Sequence, residues 1–326
     1  MNTTQASIFF KKYGIYSALV VLMIIFSLVS DVFFTTANLF NVARQVSMLG
    51  IAAVGMTFTL LLGGIDLSIG SMISLVNIVA AGFMVKNDLN PITACLFSIL
   101  LTSILGFING LVIANIGIPP LIVTLCSMTV LEGVAFIISR GLPIWGFPNE
   151  FSIIGQGYLG IVPVPVIIMV VVLAVGAFIL NKTYFGRYFY AVGGNEDASY
   201  LSGINVKTVK YLAYTLSGFF AGLAGIVLLS RTNTGQAIAG KGFEFEVLTA
   251  IVLGGVSVSG GYGKISNVVA GVCIIGVLSN GLVILNASQH IQMVIKGLVL
   301  LTAVAFDCLQ KDSKLFFSGK KLFKKG

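Results

Sequence analysis

Residues 167–180 read IIMVVVLAVGAFIL, an apolar run without a single polar side chain. Transmembrane β-strands alternate apolar and polar residues over about ten positions, so this run argues against a barrel and indicates a membrane-spanning helix. Similar runs recur along the chain, which is 57% hydrophobic and only 9% charged, with a mean hydropathy of +1.04. Soluble domains carry about 25% charged residues. The sequence therefore predicts one all-α polytopic membrane domain over residues 1–326.

The apolar runs predict ten transmembrane helices with both termini in the cytoplasm. Cytoplasmic loops are enriched in lysine and arginine, which places three segments there: the N-terminus (1–13), a loop at 182–210 and a basic tail at 308–326. An even number of crossings must separate these segments, so the short, glycine-rich eighth run has to be counted. The alternative is a re-entrant eighth segment with one further miscounted span. The predicted spans are 14–33, 45–62, 70–85, 92–115, 120–139, 161–181, 211–230, 245–259, 266–285 and 290–307.

The net charge of +8 does not indicate a nucleic-acid partner, because much of the excess lies in the C-terminal tail. Basic residues beside a membrane span favour anionic lipid headgroups. The predicted partner of this charge is therefore the lipid bilayer. The tail lysines are Lys311, Lys314, Lys320, Lys321, Lys324 and Lys325.

The residue types that carry enzyme chemistry are isolated in this sequence. The single histidine, His290, has no cluster of ligands around it, and the four cysteines lie in or beside apolar runs without the spacing of metal ligands. Residues 263–266, GKIS, lack the earlier glycine and the strand that precede a phosphate-binding loop. We therefore predict no catalytic residue, no metal and no cofactor, and a chain that is not an enzyme.

Polar side chains within or beside the spans are candidates for a translocation path, because charge buried in a bilayer is costly. Asp66 lies between the second and third spans, and we interpret its carboxylate as a cap on the free N–H groups of the third helix. Glu132 and Lys296 have opposite charges and are candidates for an ion pair. An ion-coupled carrier would carry a richer set of intramembrane acids. The path or structural candidates are Asp66, Ser68, Asn109, Glu132, Glu244 and Glu246.

The longest outside loop under this topology, 140–160, holds the only tryptophan, Trp145. Aromatic residues at such a position either anchor the protein at the membrane interface or help to receive an external partner.

The loop at 191–210 reads AVGGNEDASYLSGINVKTVK and predicts a short helix between two spans. Asn195 is a good N-cap, and Glu196 and Asp197 lie in the first turn, where the helix dipole favours acids. Gly203 suits the position just after the helix. We predict a helix from Glu196 to Ser202 that transmits force from a partner; the alternative is a plain connector.

Four stretches identify a family resemblance. They are AVGMTFTLLLGGIDLSIGSMISL (53–75), GRYFYAVGGNEDASYLSGINV (186–206), SGFFAGLAGIV (217–227) with GKGFEFEVLTAIVLGGVSVSGGYG (240–263), and the last two spans. In order and spacing they resemble the permease subunits of bacterial carbohydrate-uptake ABC transporters of the ribose type. The coupling motif of importers consists of an acid, two alanines, three further residues and a glycine. This chain has Ser199 in place of the second alanine. No Ile-x-Leu-Pro follows.

The resemblance implies a multi-pass protein of the bacterial inner membrane that forms the pathway as a homodimer or as a heterodimer with a related permease. It implies a cytoplasmic ATPase subunit that docks on the 193–204 loop and an external sugar-binding protein on the other face. The implied ATPase-coupling residues are Gly193, Gly194, Asn195, Glu196, Asp197, Ala198, Leu201, Gly203 and Ile204.

The resulting expectation is ATP-driven import of ribose or a related monosaccharide. The alternatives are a permease for branched-chain amino acids or nucleosides, a secondary sugar carrier, or a channel that needs no partner. The sequence does not name the solute, because specificity in such systems lies mainly with the binding protein.

Overall fold

The computed structural model describes the backbone of residues 3–322 and the side chains of residues 14–309. It is mostly helical. The basic residues at 11–12 and the six tail lysines therefore lie outside the described side chains. The helices are α1 Thr3–Val29, α2 Thr36–Leu61, α3 Ile69–Val85, α4 Pro91–Ile116, α5 Pro120–Ser139, α6 Ser152–Gln156, α7 Val164–Lys182, α8 Tyr184–Gly194, α9 Glu196–Leu201, α10 Val206–Thr232, α11 Phe243–Leu253, α12 Ile265–Ile284 and α13 Gln289–Leu322. A 3₁₀ turn, Asn149–Phe151, and a hairpin of β1 Tyr158–Leu159 and β2 Val162–Pro163 complete the fold.

Several long helices begin at residues whose side chains cap the helix N-terminus. The Asn90 side chain accepts the N–H of Ile92, and Pro91 occupies the first position of α4, where its missing N–H costs nothing. Thr35 and Asn205 cap α2 and α10 in the same way. Once started, the apolar sequence continues each helix far enough to cross a bilayer.

Among the described residues, seven helices are long and apolar enough to span a membrane: α2, α4, α5, α7, α10, α12 and α13. This confirms an all-α polytopic membrane protein. Of the other predicted spans, 14–33 falls on the apolar part of α1, Gly14–Val29, 70–85 falls on the 17-residue α3, and 245–259 begins on the 11-residue α11. The number of crossings and the orientation of the termini stay predictions.

The core lies where α2, α3 and α10 meet. Every residue from Val46 to Leu61 in α2 is buried. Glycines let the neighbouring backbones approach closely: Gly106 of α4 packs on the Tyr214 carbonyl of α10, and Gly225 of α10 packs on Ile73 of α3. These small residues therefore serve helix packing.

The eighth predicted span, 245–259, is only partly a helix. α11 has 11 residues, or about 16 Å, which is shorter than the roughly 30 Å apolar layer. Irregular backbone precedes it at 233–242 and follows it at 254–264. The chain turns at Gly255, whose φ is +76°, a conformation that glycine adopts without a steric penalty. The prediction of a continuous helix to residue 259 was therefore wrong.

The molecule has two ends that α10 separates, with its 27 residues spanning about 40 Å. The coupling end carries α8, α9 and the start of α10. The distal end carries the segment 140–163 and the residues after α10, which join through an isolated bridge between Ile144 and Gly235. The 182–210 segment differs from the prediction, since it contains a second helix, α8, before the short one.

Candidate functional site

The short helix α9 forms as its sequence predicts. The Asn195 side chain accepts the N–H of Ala198 at 2.8 Å, and both first-turn acids are in place. The helix ends at Leu201 with Ser202 as its C-cap, and Gly203 follows with a φ of +85°. The predicted N-cap and the predicted glycine after the helix are confirmed, and the boundary differs by one residue.

The exposed side of α9 carries apolar side chains beside its two acids. Leu201 is 84% exposed and Tyr200 is 71% exposed, and Ala198 is exposed beside them. Ser199, which departs from the family's alanine, is buried on the inner face, and its hydroxyl donates to the Asn195 carbonyl at 2.8 Å. The substitution therefore leaves the outer face unchanged.

The α9 helix is fixed to the start of α10. Lys210 and Glu196 form an ion pair at 2.6 Å. Beside this pair lies an open cleft of about 560 Å³, whose lining includes Asp197, Gly203 and Ile204. The ion pair thus bridges α9 and α10 across the turn that joins them.

The two glycines that precede α9 differ in their surroundings. Gly194 is exposed, whereas Gly193 is partly buried and faces the carbonyl of Leu61 and the backbone N–H of Gly261. Gly193 therefore contacts the interior of the protein and not the outer face of the coupling segment.

Asp66 is fully buried and joins several elements. Its Oδ1 accepts the N–H of Ser68 at 3.0 Å and also the Ser68 hydroxyl, and its Oδ2 accepts the Ser217 hydroxyl of α10 at 2.6 Å. Asn109 of α4 donates to the Ser68 hydroxyl at 3.2 Å, and Ser127 of α5 donates to Asn109. The predicted path candidates Asp66, Ser68 and Asn109 therefore form one polar network.

The capping interpretation of Asp66 needs correction. The N-cap of α3 is Ser68, which makes no side-chain capping bond, and Asp66 lies two residues earlier. Its carboxylate shapes the turn before the helix and ties that turn to α10. The first-turn N–H groups of α3 do not bind it.

The charged residues near α11 pair differently from the expectation. Lys296 binds Glu246 at 2.6 Å, and Glu132 lies 3.7 Å from Lys241. The suggested pair of Glu132 with Lys296 was therefore wrong. Glu244 is 5% exposed, and its carboxylate lies against Gly70 of α3. All three predicted acids thus surround the first turn of α11, a grouping that no local sequence signal announces.

The predicted outside loop is packed onto the distal end. Phe151 is buried, and the N–H of Gly155 donates to the Ser230 hydroxyl at 2.8 Å. The guanidinium of Arg44 lies 4.8 Å from the Tyr158 ring centre, a cation–π contact. Trp145 remains 65% exposed and offers a surface at this end.

Within the described part of the chain, no group of three or more histidine, cysteine, aspartate or glutamate side chains is placed to hold a metal ion. His290 is exposed, and Cys95, Cys126, Cys273 and Cys308 are free thiols. The geometry that remains is that of a helical membrane bundle with a projecting, partly apolar helix at one end.

A protein-family model described as the permease component of branched-chain amino acid transport systems matches residues 38–304. The chain belongs to this permease family. The permease is also 41% identical to the ribose import permease protein RbsC of Bacillus subtilis, over 94% of this chain and 97% of that protein. Its membership makes it a transport component and not an enzyme, as predicted.

Two further relatives of the permease come from Escherichia coli K12. The L-arabinose transport system permease protein AraH is 38% identical over 93% of this chain and 92% of that protein. The D-allose transport system permease protein AlsC is 35% identical over 93% of each. No solved structure matches the permease. The resemblance to the ribose-type permeases is therefore confirmed along nearly the whole sequence.

Proposed function

We propose that this permease forms the membrane pathway of an ATP-driven, binding-protein-dependent importer for a monosaccharide, with ribose as the first candidate and L-arabinose and D-allose as the others. The observation that carries the proposal is the similarity, over more than nine-tenths of the chain, to relatives that are named for these three sugars. The description of the family model favours branched-chain amino acids as the second candidate.

Energy for transport comes from a partner. A cytoplasmic ATPase subunit docks on the outer face of α9, whose exposed Leu201 and Tyr200 offer an apolar contact. A loaded binding protein docks at the distal end. Each partner binds one conformation of the permease more tightly than the other, so both shift the same equilibrium. The permease supplies the path and, in α9, the helix that transmits movement of the ATPase. It carries out no covalent chemistry.

The charged surface around α11 faces water or a second copy of the permease. Glu132 lies near the middle of α5, and Lys241, with a side chain that is 72% exposed, lies beside it. A charged side chain that faces lipid near the centre of the bilayer costs about 2.5–3.5 kcal/mol, which disfavours lipid against this pair. We infer that this surface borders a water-filled pathway, with a second copy of the permease across it and with Glu132, Glu244 and Glu246 along the path.

ATP-driven sugar uptake tests the function directly. The permease is reconstituted in vesicles with its ATPase and binding protein, and entry of labelled ribose is measured. We expect uptake that stops without ATP and survives a protonophore. Uptake that ignores ATP and stops with the protonophore would identify a secondary carrier. Uptake of leucine in place of ribose would favour the amino acid alternative.

Thiol labelling tests both the topology and the proposal that the charged surface around α11 faces water. In a variant without its four cysteines, single cysteines are placed at exposed positions and treated with an impermeant thiol reagent in intact cells. Asn149→Cys should react from outside and Lys207→Cys should not, because lysine and arginine mark the inside. Lys241→Cys should react, and the lipid-facing control Val130→Cys, 62% exposed, should not. Reaction at position 207 but not at 149 would contradict the predicted orientation. Equal protection at positions 241 and 130 would contradict the proposal that the charged surface around α11 faces water.

A further inference from the structure

Three segments meet at the coupling end without side chains between them. They are the end of α8, the α2–α3 connection (62–68) and the α11–α12 connection (254–264). The N–H of Gly261 donates to the Leu61 carbonyl at 2.8 Å. A Cβ added to Gly193 would overlap the same carbonyl and lie 2.7 Å from the Gly261 nitrogen. We call this contact of Gly193, Leu61 and Gly261 the glycine junction.

Two side chains reinforce the junction from α8. The Tyr190 hydroxyl donates to the Gly263 carbonyl at 2.7 Å. A tyrosine hydroxyl keeps its proton at neutral pH and can donate, and burial raises the pKa of Tyr190 further in the same direction. Phe189 is fully buried against Phe58 of α2, with 5.4 Å between the ring centres. The α8 helix is thus attached to both α2 and the α11–α12 connection.

Both connections lead to the polar groups of the interior. The 62–68 connection contains Asp66, which binds α10 through Ser217. The 254–264 connection follows α11, and the N–H of Val258 in it donates to Asp307 of α13 at 3.1 Å. Because these backbones are in direct contact, the segments have little room to shift relative to one another. A displacement of α8 toward the junction therefore pushes on both connections, and a displacement away from it strains the Tyr190–Gly263 hydrogen bond.

We propose that the glycine junction transmits the movement of α9 to the 62–68 and 254–264 connections, so that Gly193 is a positioning residue for transport. The proposal rests on the proposed function, because it takes the ATPase to move α9. Gly193 must be a glycine for this role, since any side chain would separate α8 from the two connections. The surface that the ATPase contacts lies elsewhere, on the exposed side of α9.

Gly193→Ala is the direct test. The added methyl must displace Leu61 or Gly261, while the outer face of α9 is unaltered. We expect normal co-purification of the ATPase and continued ATP hydrolysis, with the amount of sugar imported per ATP lowered about tenfold, within the usual range for coupling between sites. The matched control is Gly82→Ala in α3, where a Cβ would find no atom within 4 Å; its import per ATP should equal that of the wild type.

Tyr190→Phe supplies the second arm, because it keeps the ring and removes only the bond to Gly263. We expect a normal level in the membrane, normal ATPase recovery and import per ATP lowered about threefold, the smaller part of the same coupling.

Normal import per ATP in Gly193→Ala overturns the proposal, and so does loss of the ATPase, which would place Gly193 in the docking surface. If Gly193→Ala does not accumulate, normal import per ATP in Tyr190→Phe overturns it. A wild-type protein without ATP-dependent uptake would instead refute the proposed function.

Discussion

Ala198→Arg is expected to remove the ATPase from the purified complex and to abolish nearly all uptake. Ala198 is exposed on α9, and Leu201, three residues later, lies on the same face. An arginine there would carry an unpaired charge into the apolar contact. Such a charge costs about 3 kcal/mol or more, which corresponds to a roughly 100-fold weaker affinity.

The folded permease should tolerate this change. The capping bond of Asn195 goes to the backbone N–H of residue 198, which an arginine retains, and arginine is a good helix former. Membrane level and melting temperature should therefore match the wild type. The measurement is co-purification of the ATPase, with ATP-dependent uptake in vesicles. Asn87→Arg, on an exposed turn at the distal end, places the same charge away from α9 and should leave ATPase recovery intact.

Gly203→Val examines the same surface by a different physical route. The φ of +85° at Gly203 costs a residue with a Cβ about 1 kcal/mol or more. Valine should therefore redirect the chain just after α9 and lower both ATPase recovery and uptake, with little loss of protein from the membrane. Normal recovery and uptake in both Ala198→Arg and Gly203→Val would mean that α9 is only a connector.

Local chemistry explains why α9 was predictable and α8 was not. The signals for α9 are a cap, two acids and a glycine within nine residues, and each acts on its nearest neighbours. In α8 the signal is weaker: Thr183 caps the N–H of Gly186 at 3.3 Å, but a pair of glycines at its C-terminal end suggests a loop. The first of them, Gly193, is explained only by Leu61 and Gly261, far away in sequence.

The errors around α11 have the same origin. Hydropathy depends only on composition, so an apolar, glycine-rich run scores the same whether its helix crosses the membrane or ends at Leu253. The length of the helix was therefore overestimated. The ion pairs join residues 50 or more positions apart, Lys296 with Glu246 and Lys241 with Glu132. Charge alone identified candidates for pairing, but the choice of partner depends on how α5, α11 and α13 pack.

Asp66→Leu is expected to prevent the permease from accumulating, while Asp66→Asn should retain most of the transport activity. The carboxylate accepts the N–H and hydroxyl of Ser68 and the hydroxyl of Ser217. Leucine would leave all three donors buried without an acceptor, at about 1–3 kcal/mol each. The total is comparable to the whole stability of a typical domain, about 5–15 kcal/mol.

Asparagine retains an acceptor oxygen for Ser68, and the Ser217 hydroxyl can rotate to accept from the new amide. Ser217→Ala removes only one of the three donors and is the matched control, with an expected loss of about 1.5–3 kcal/mol because the bond goes to a carboxylate. The measurements are the level of protein in the membrane, thermal unfolding in detergent and ATP-dependent uptake. Wild-type accumulation of Asp66→Leu would contradict the structural role. A well-folded Asp66→Asn variant without uptake would show that transport needs the charge of Asp66 itself, because the network would then be intact and only the charge would be missing.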